Sequence, residues 1–300
     1  MAGRVGPVID SNVHLWDHGR NQIFWLADRT MLRDMIGDYD ALPGTYSLAD
    51  YDDATAEFDV RGIVWSDAGA ADPVAAAEWV AAQDTAGRVV GLVSLGDPTE
   101  PGFGRLVDAL RANPLVTSVR IRLVPAFQKG VATGSDGADA ALVEGLGLLA
   151  EHGLVATVEA GASEIGRVAE LARRFPGLPV VLDHFGWPED LSDAGRREHL
   201  ASLHRVAEEP NVTTRIDAIG TIFRAWDTAT LRPWLRGVVE AFGAERCMLG
   251  SDLPIETLRS SFNGLYAAYD AIFDARSDEE RRMLFSGTAQ RVYGVSRPRS

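Results

Sequence analysis

The stretch VIDSNVHLWD, residues 8 to 17, sets an acid, an amide and an imidazole at alternate positions: Asp10, Asn12 and His14. Alternate side chains of a β-strand share a face. The spacing therefore predicts that these three point one way, with Ile9, Ser11 and Val13 on the other. A carboxylate beside an imidazole can hold a divalent metal or move a proton. Strand-borne metal ligands at this spacing are usually paired histidines, and Asn12 stands where the first would be. The stretch alone leaves three readings open: a metal site, a relic of one, or a site that works without metal. Further along, Arg120 and Arg122 alternate in VTSVRIRL, Thr157 and Glu159 in LVATVE, and Arg215 and Asp217 in NVTTRID. His184 ends the run PVVLDH and Asp252 the run RCMLGSD. A guanidinium binds a carboxylate through two parallel hydrogen bonds. Three arginines on one side of the sheet point to an anionic small molecule; internal pairing with Glu159, Asp217 and Asp10 is the other reading.

Something must bring these residues together. Eight short apolar runs read as strands: 8–14, 61–66, 89–95, 116–123, 154–159, 179–184, 211–217 and 246–252. Helix-like stretches lie between them, near 48–58, 73–86, 102–113, 138–151, 163–175, 192–208 and 228–242. Asp72-Pro73 is an N-cap followed by proline at the first helical position. A last helix, about 277–293, closes the chain. Eight strand-then-helix units in 300 residues are what a (β/α)8 TIM-type barrel needs. A doubly wound sheet would carry a glycine-rich first turn, and Leu15-Trp16 stand there instead. The expectation is one barrel domain over 1–300, with a long loop, 15–46, over its mouth. Strand alternation then sends Val119, Ile121 and Leu123 to the helices and Arg120 and Arg122 to the axis. The same rule turns Glu159, Arg215, Asp217 and Asp252 inward, with Cys247 outward. Polar groups thus gather at the C-terminal strand ends, where barrel enzymes keep their chemistry.

Bulk properties narrow the function. The net charge of −14 argues against nucleic-acid binding, which needs a basic face. No apolar run is long enough to span a membrane, and MAGRVGPVID lacks a signal-peptide core. A cytoplasmic location is expected. The lone cysteine, Cys247, rules out an internal disulfide. Lys129 is the only lysine, leaving no other for Schiff-base chemistry. A homodimer is compatible with exposed barrel helices.

The ordered motifs resemble the amidohydrolase superfamily, in its branch of amidohydrolase-related lactonases: sugar lactonases of the fuconolactonase and rhamnonolactonase type, and pyrone dicarboxylate lactonases. IDSNVHLWD resembles that branch's opening acid-x-His-x-His-x-Trp strand, except at Asn12. FWLADRTMLRDM is similar to its Trp-Leu loop, VTSVRIRL to its Gly-Val-Arg strand, and VVLDHFGWP to its Asp-His-x-Gly-x-Pro strand end. FGAERCMLGSDLP resembles its Phe-Gly-x-x-Arg-x-x-x-Gly-Ser-Asp-x-Pro signature almost throughout, and LFSGTAQRVYGV its closing helix, with Thr288 where asparagine is common. The resemblance implies that His14, His184 and Asp252 form the centre. It also implies that Asp252 deprotonates a water, which attacks an ester, lactone or amide carbonyl. The strand ending Arg215-Ile216-Asp217 departs from the branch's common Lys-x-Ser.

A carboxylate base is weak near neutral pH unless its water is polarised and the oxyanion is held. His14, His184 and Asp252, with Asn12, could ligate one zinc or manganese. An asparagine oxygen is a poor zinc ligand beside imidazole, so the expectation leans to no cofactor, with both histidines donating to the carbonyl oxygen. Arg120, Arg122, Arg215, Asp217, Glu159 and Trp25 are the expected substrate-binding residues. Phe24, Trp25, Tyr39 and Tyr46 equip the long loop to cover the pocket. His18 lies in that loop; His152 suits a helix C-terminus; His199 and His204 are expected on the surface. The other functional readings are a decarboxylase or C–C hydrolase on the same scaffold, and a non-catalytic binding barrel.

Overall fold

Runs rich in valine, isoleucine and leucine pair side by side to build the sheet. Its strands are β1 (Val8–Val13), β2 (Val60–Ser66), β3 (Val89–Leu95), β4 (Val116–Arg122), β5 (Val155–Glu159), β6 (Val180–Leu182), β7 (Val212–Ile216) and β8 (Cys247–Leu249). This computed structural model describes residues 6–123 and 136–294, so Lys129 lies outside the described residues. The strands pair in parallel and in chain order. Just past β8, the Asp252 amide donates to the Asn12 carbonyl and the His14 amide to the Leu253 carbonyl, at 2.9 and 2.7 Å. A parallel bridge joins Val13 to Leu253. These contacts bring the last strand back to the first, and the sheet is a nearly closed (β/α)8 barrel.

Each strand is followed by a helix: α1 (Leu48–Thr55), α2 (Pro73–Gln83), α3 (Phe103–Arg111), α4 (Asp136–Glu151), α5 (Ile165–Arg174), α6 (Asp193–Val206), α7 (Thr228–Phe242) and α8 (Phe262–Ile272). Asp72 caps α2, its carboxylate accepting from the Val74 and Ala75 amides. The sequence reading did not anticipate α8. Ser261 caps it through the Gly264 amide, and Phe262, Leu265, Tyr266, Tyr269 and Ile272 form its buried face. A last helical stretch, Asp278–Arg282 and then Met283–Gly287 and Thr288–Tyr293, has a π turn in its middle. Its Ala289 and Tyr293 pack against Ile9, Val64, Val93, Val155, Val181 and Met248. That apolar layer fills the lower barrel, and the polar groups stand above it.

One expectation about the opening strand fails. Ile9 belongs to the inner apolar layer, whereas Asp10 leaves the barrel axis for Tyr51 of α1, whose hydroxyl donates to Oδ2 at 3.0 Å. The pairing of β1 with β2 explains this. Asp10 is opposite Ile63 but Val13 is opposite Trp65, so β1 holds one extra residue between them. Such a bulge reverses the alternation. Asn12 and His14 then meet Asp252 while Asp10 does not join them.

Residues 15–46 contribute Trp25, Leu32, Met35 and Ile36 to the lining of the pocket that holds His14, His184 and Asp252. Trp16–Asp17 pairs antiparallel with Thr45–Tyr46. Trp25 donates its indole N–H to the Ala68 carbonyl at 2.7 Å, and packs edge-on against Trp16 and Tyr39. Arg224 donates to the carbonyls of Asp34 and Met35, and Arg259 to that of Ile36. His199 is a second correction: it is buried, its Nε2 is 2.9 Å from the Phe185 carbonyl, and its ring packs against Trp234. Helix α6 turns that face inward, under the β6 turn.

Candidate active site

A pocket opens where the strand ends converge, at the C-terminal face of the barrel. It is lined by the polar residues His14, Arg120, Arg122, Glu159, His184 and Asp252 and by the largely apolar Trp25, Leu32, Met35, Ile36, Trp187 and Ile255. Asn12, Arg215 and Asp217 are buried and are not among the lining residues. The backbone around the pocket is strained. His184, Phe185 and Trp187 after β6, Ala218 after β7 and Asp252 after β8 have φ of 50, 40, 33, 53 and 61°. Side chains other than glycine reach this region at a cost of about 1–3 kcal/mol each, and such residues cluster at functional sites.

Two histidines sit in different electrostatic settings. His14 Nδ1 is 2.7 Å from the Ser66 carbonyl, and Nε2 is 3.0 Å from Asp252 Oδ1. A carbonyl only accepts, so Nδ1 donates, and a second proton must lie between Nε2 and Oδ1. The Asn12 amide also donates to Oδ1, at 3.1 Å. Oδ2 of Asp252 makes no hydrogen bond among the described residues. His184 Nδ1 is 2.8 Å from Asp217 Oδ1, and Nε2 is 3.2 Å from Arg120 Nη2. A guanidinium only donates, which asks for an Nε2 lone pair and a proton on Nδ1. Burial opposes the imidazolium of His184; the Asp217 and Asp183 carboxylates outweigh it, and its pKa is raised.

The arginines are held by carboxylates. Arg120 Nε donates to Asp183 Oδ2 at 2.7 Å, and Arg122 Nε to Glu159 Oε2 at 2.9 Å. Arg215 donates to Asp183 Oδ1 at 2.5 Å, and to the Ser11 carbonyl and Ser66 Oγ at 2.9 Å. Three guanidinium groups thus face three carboxylates, Glu159, Asp183 and Asp217. Burial would raise the pKa values of Asp183 and Glu159, but the arginines reverse this and hold both below the ordinary carboxylate range. Asp183 was not named from the sequence, although it is the centre of this network. Trp187 was missed as well; its indole N–H donates to Glu159 Oε1 at 3.2 Å, and its ring lies 4.6 Å from that of His184.

The donor set does not fit a divalent ion. Both nitrogens of His184 are engaged, and the Arg120 guanidinium sits where a cation would approach Nε2. Both nitrogens of His14 are engaged too. Asn12 Oδ1 is buried without a partner, but it is one neutral oxygen. Among the described residues, no group of three or more His, Cys, Asp or Glu side chains is placed to hold a metal.

Two buried carboxyls stand behind the site. Burial pushes Asp10 up to about 7, against hydrogen bonds from Ser251, Asn12 and Tyr51. Burial pushes Glu256 up to about 8; Gly220 N donates to its Oε2 at 2.7 Å. Both bind protons more tightly folded than unfolded, as does His184. Their contribution is therefore full at low pH and is lost as pH rises through the folded values. The thermal midpoint is expected to fall between about pH 5 and pH 8.5, and Glu256→Gln to flatten part of that fall and raise the midpoint at the alkaline end. A midpoint that climbs over this window in calorimetry would contradict the assignment.

A family model described as Amidohydrolase matches residues 9–295. The uncharacterized protein y4mH of Sinorhizobium fredii is 28% identical over 96% of this chain and 98% of its own. An L-fucono-1,5-lactonase of Burkholderia ambifaria is 32% identical over 42% of this chain and 45% of its own. An amidohydrolase from Burkholderia multivorans, crystallised with bound HEPES and, in another form, with bound Zn, superposes with a TM-score of 0.77 at 22% identity, over 96% of this chain and 99% of that one. No helix among the described residues is long and apolar enough to cross a membrane.

Proposed function

The chain belongs to the amidohydrolase family and is a hydrolase; from that premise we propose that it opens a lactone or related cyclic ester, with Asp252 as general base. The observation that carries this reading is the setting of the Asp252 carboxylate. Oδ1 is fixed by His14 and Asn12, Oδ2 is left without a protein partner, and Arg120 and His184 line the same pocket. In the proposed reaction Oδ2 takes a proton from water, and the water oxygen forms a bond to the carbonyl carbon. The Arg120 and Arg122 guanidinium groups stabilise the negative charge that develops on the carbonyl oxygen, and His184 keeps Arg120 in place by accepting from it at Nε2. The ring C–O bond then breaks, and the leaving alkoxide recovers the proton from Asp252. His14 orients the base rather than reacting. Asp183, Arg215 and Asp217 hold Arg120 and His184 in place. The partial match to an L-fucono-1,5-lactonase supports a lactone as the substrate type.

A panel of five- and six-membered lactones, followed by acid release in weakly buffered dye, tests the reading. At least one should be opened well above the spontaneous rate. Because the donors are engaged by protein groups, kcat/KM is expected to stay within about twofold after prolonged chelation. Loss of activity on chelation, with recovery on adding zinc or manganese, would overturn the metal-independent form of the proposal.

A further inference from the structure

We infer that the substrate is neutral and apolar away from its reacting carbonyl: a small lactone carrying an alkyl or aromatic body, rather than a polyhydroxylated or carboxylated one. The inference rests on the hydrolase reading above and concerns the same pocket. Four features support it. First, the cations at the mouth are matched. Arg120 is held by Asp183 and Arg122 by Glu159, while His184 faces Asp217 and His14 faces Asp252. A substrate carboxylate would have to compete with these groups and would meet Glu159 and Asp252 as like charges. Second, both indole N–H groups at the pocket are already bonded, Trp25 to the Ala68 carbonyl and Trp187 to Glu159. What remains of each is hydrocarbon. Third, Leu32, Met35 and Ile36, spaced by three and four, present one apolar face from the covering loop, and Ile255 extends it. The backbone carbonyls of residues 34–36, which could have accepted from hydroxyls, are held by Arg224 and Arg259. Fourth, Thr221 is the one hydroxyl residue among the described residues lining the pocket. A sugar ring seated on this wall would lose water from several hydroxyls and gain few partners, whereas an alkyl or aromatic body would gain by leaving water.

The test compares six-membered lactones that differ only in their substituents: an alkyl δ-lactone, glucono-1,5-lactone and a ring-carboxylated δ-lactone. The expected result is a kcat/KM for the alkyl compound at least ~10-fold above the other two. Met35→Gln should narrow that ratio by a similar factor. An equal or reversed preference overturns the inference and leaves the hydrolase reading intact. Should none of the lactones be opened, calorimetric titration with the corresponding alkyl and hydroxylated δ-lactams decides the question. Tighter binding of the alkyl lactam supports the apolar site while the hydrolase reading falls. Tighter binding of the hydroxylated lactam, or binding of neither, overturns the inference.

Discussion

Asp252→Asn is expected to lower kcat by roughly 10³-fold or more on any lactone the protein opens, at the upper range for loss of a general base, with little change in KM. Asparagine keeps the shape and can still accept from the Asn12 amide. It cannot take a proton from water. The neighbouring His14 does not substitute, because its Nδ1 is committed to the Ser66 carbonyl and its Nε2 looks at residue 252. The residual rate should reflect oxyanion stabilisation by Arg120 and Arg122 alone. Single-turnover kinetics on the purified variant, with a melting curve to verify folding, check this. A loss smaller than about tenfold would move the base elsewhere. If ligand binding survives and turnover never existed in the wild type, the non-catalytic barrel becomes the better description.

The second large effect concerns stability. Asp183 lies fully buried between two guanidinium groups, Arg120 on Oδ2 and Arg215 on Oδ1. Removing one partner from a buried ion network leaves charge without compensation, at a cost of about 3–5 kcal/mol. Asp183→Ala leaves Arg120 and Arg215 close together in the barrel without the carboxylate that joins them. The melting temperature should fall by about 10 °C, given ~2–4 °C per kcal/mol for a chain of this size class. Urea unfolding measures the loss directly. Arg215→Met, which keeps volume and removes one charge, should cost less, because Arg120 still holds Asp183. A loss below 1 kcal/mol for Asp183→Ala would mean that the network relaxes around the gap.

Much of this architecture could be read from residue types. Valine-rich runs separated by capped helices announced eight strands, and alternation correctly turned Arg120, Arg122 and Glu159 to one side and Cys247 to the other. Helix α8 was hidden because its first turn reads Phe-Asn-Gly, which looks like a loop, and its apolar residues are tyrosines as often as aliphatics. His199 was misjudged because a polar residue on an amphipathic helix can face inward when a strained turn offers it a carbonyl. Asp183 escaped notice for a geometrical reason. Neighbouring strand residues point to opposite faces, so an acid directly before His184 should face away from it. The left-handed backbone at His184 breaks that rule and brings both side chains toward Arg120. No alternation rule can see such a turn from residue types alone. Lid contacts such as those of Arg224 with the carbonyls of residues 34 and 35 link positions about 190 residues apart and leave no local trace.

The extra residue in β1 has a bearing on what changes this chain can accept. Within a few positions the strand serves three places at once: Ile9 goes to the apolar layer, Asp10 to Tyr51 in the helical shell, and Asn12 and His14 to Asp252. Replacing any one of these side chains disturbs one of those places. Deleting a single residue from 10–12 disturbs more than one of them: Asp10 and the Asn12–His14 pair can no longer both keep their height along the strand, and a step of about 3.3 Å separates either Asp10 from Tyr51 and the Ser251 amide or Asn12 and His14 from Asp252. For this strand, length is a stricter constraint than composition. Tolerance to substitution in β1 should far exceed tolerance to insertion or deletion.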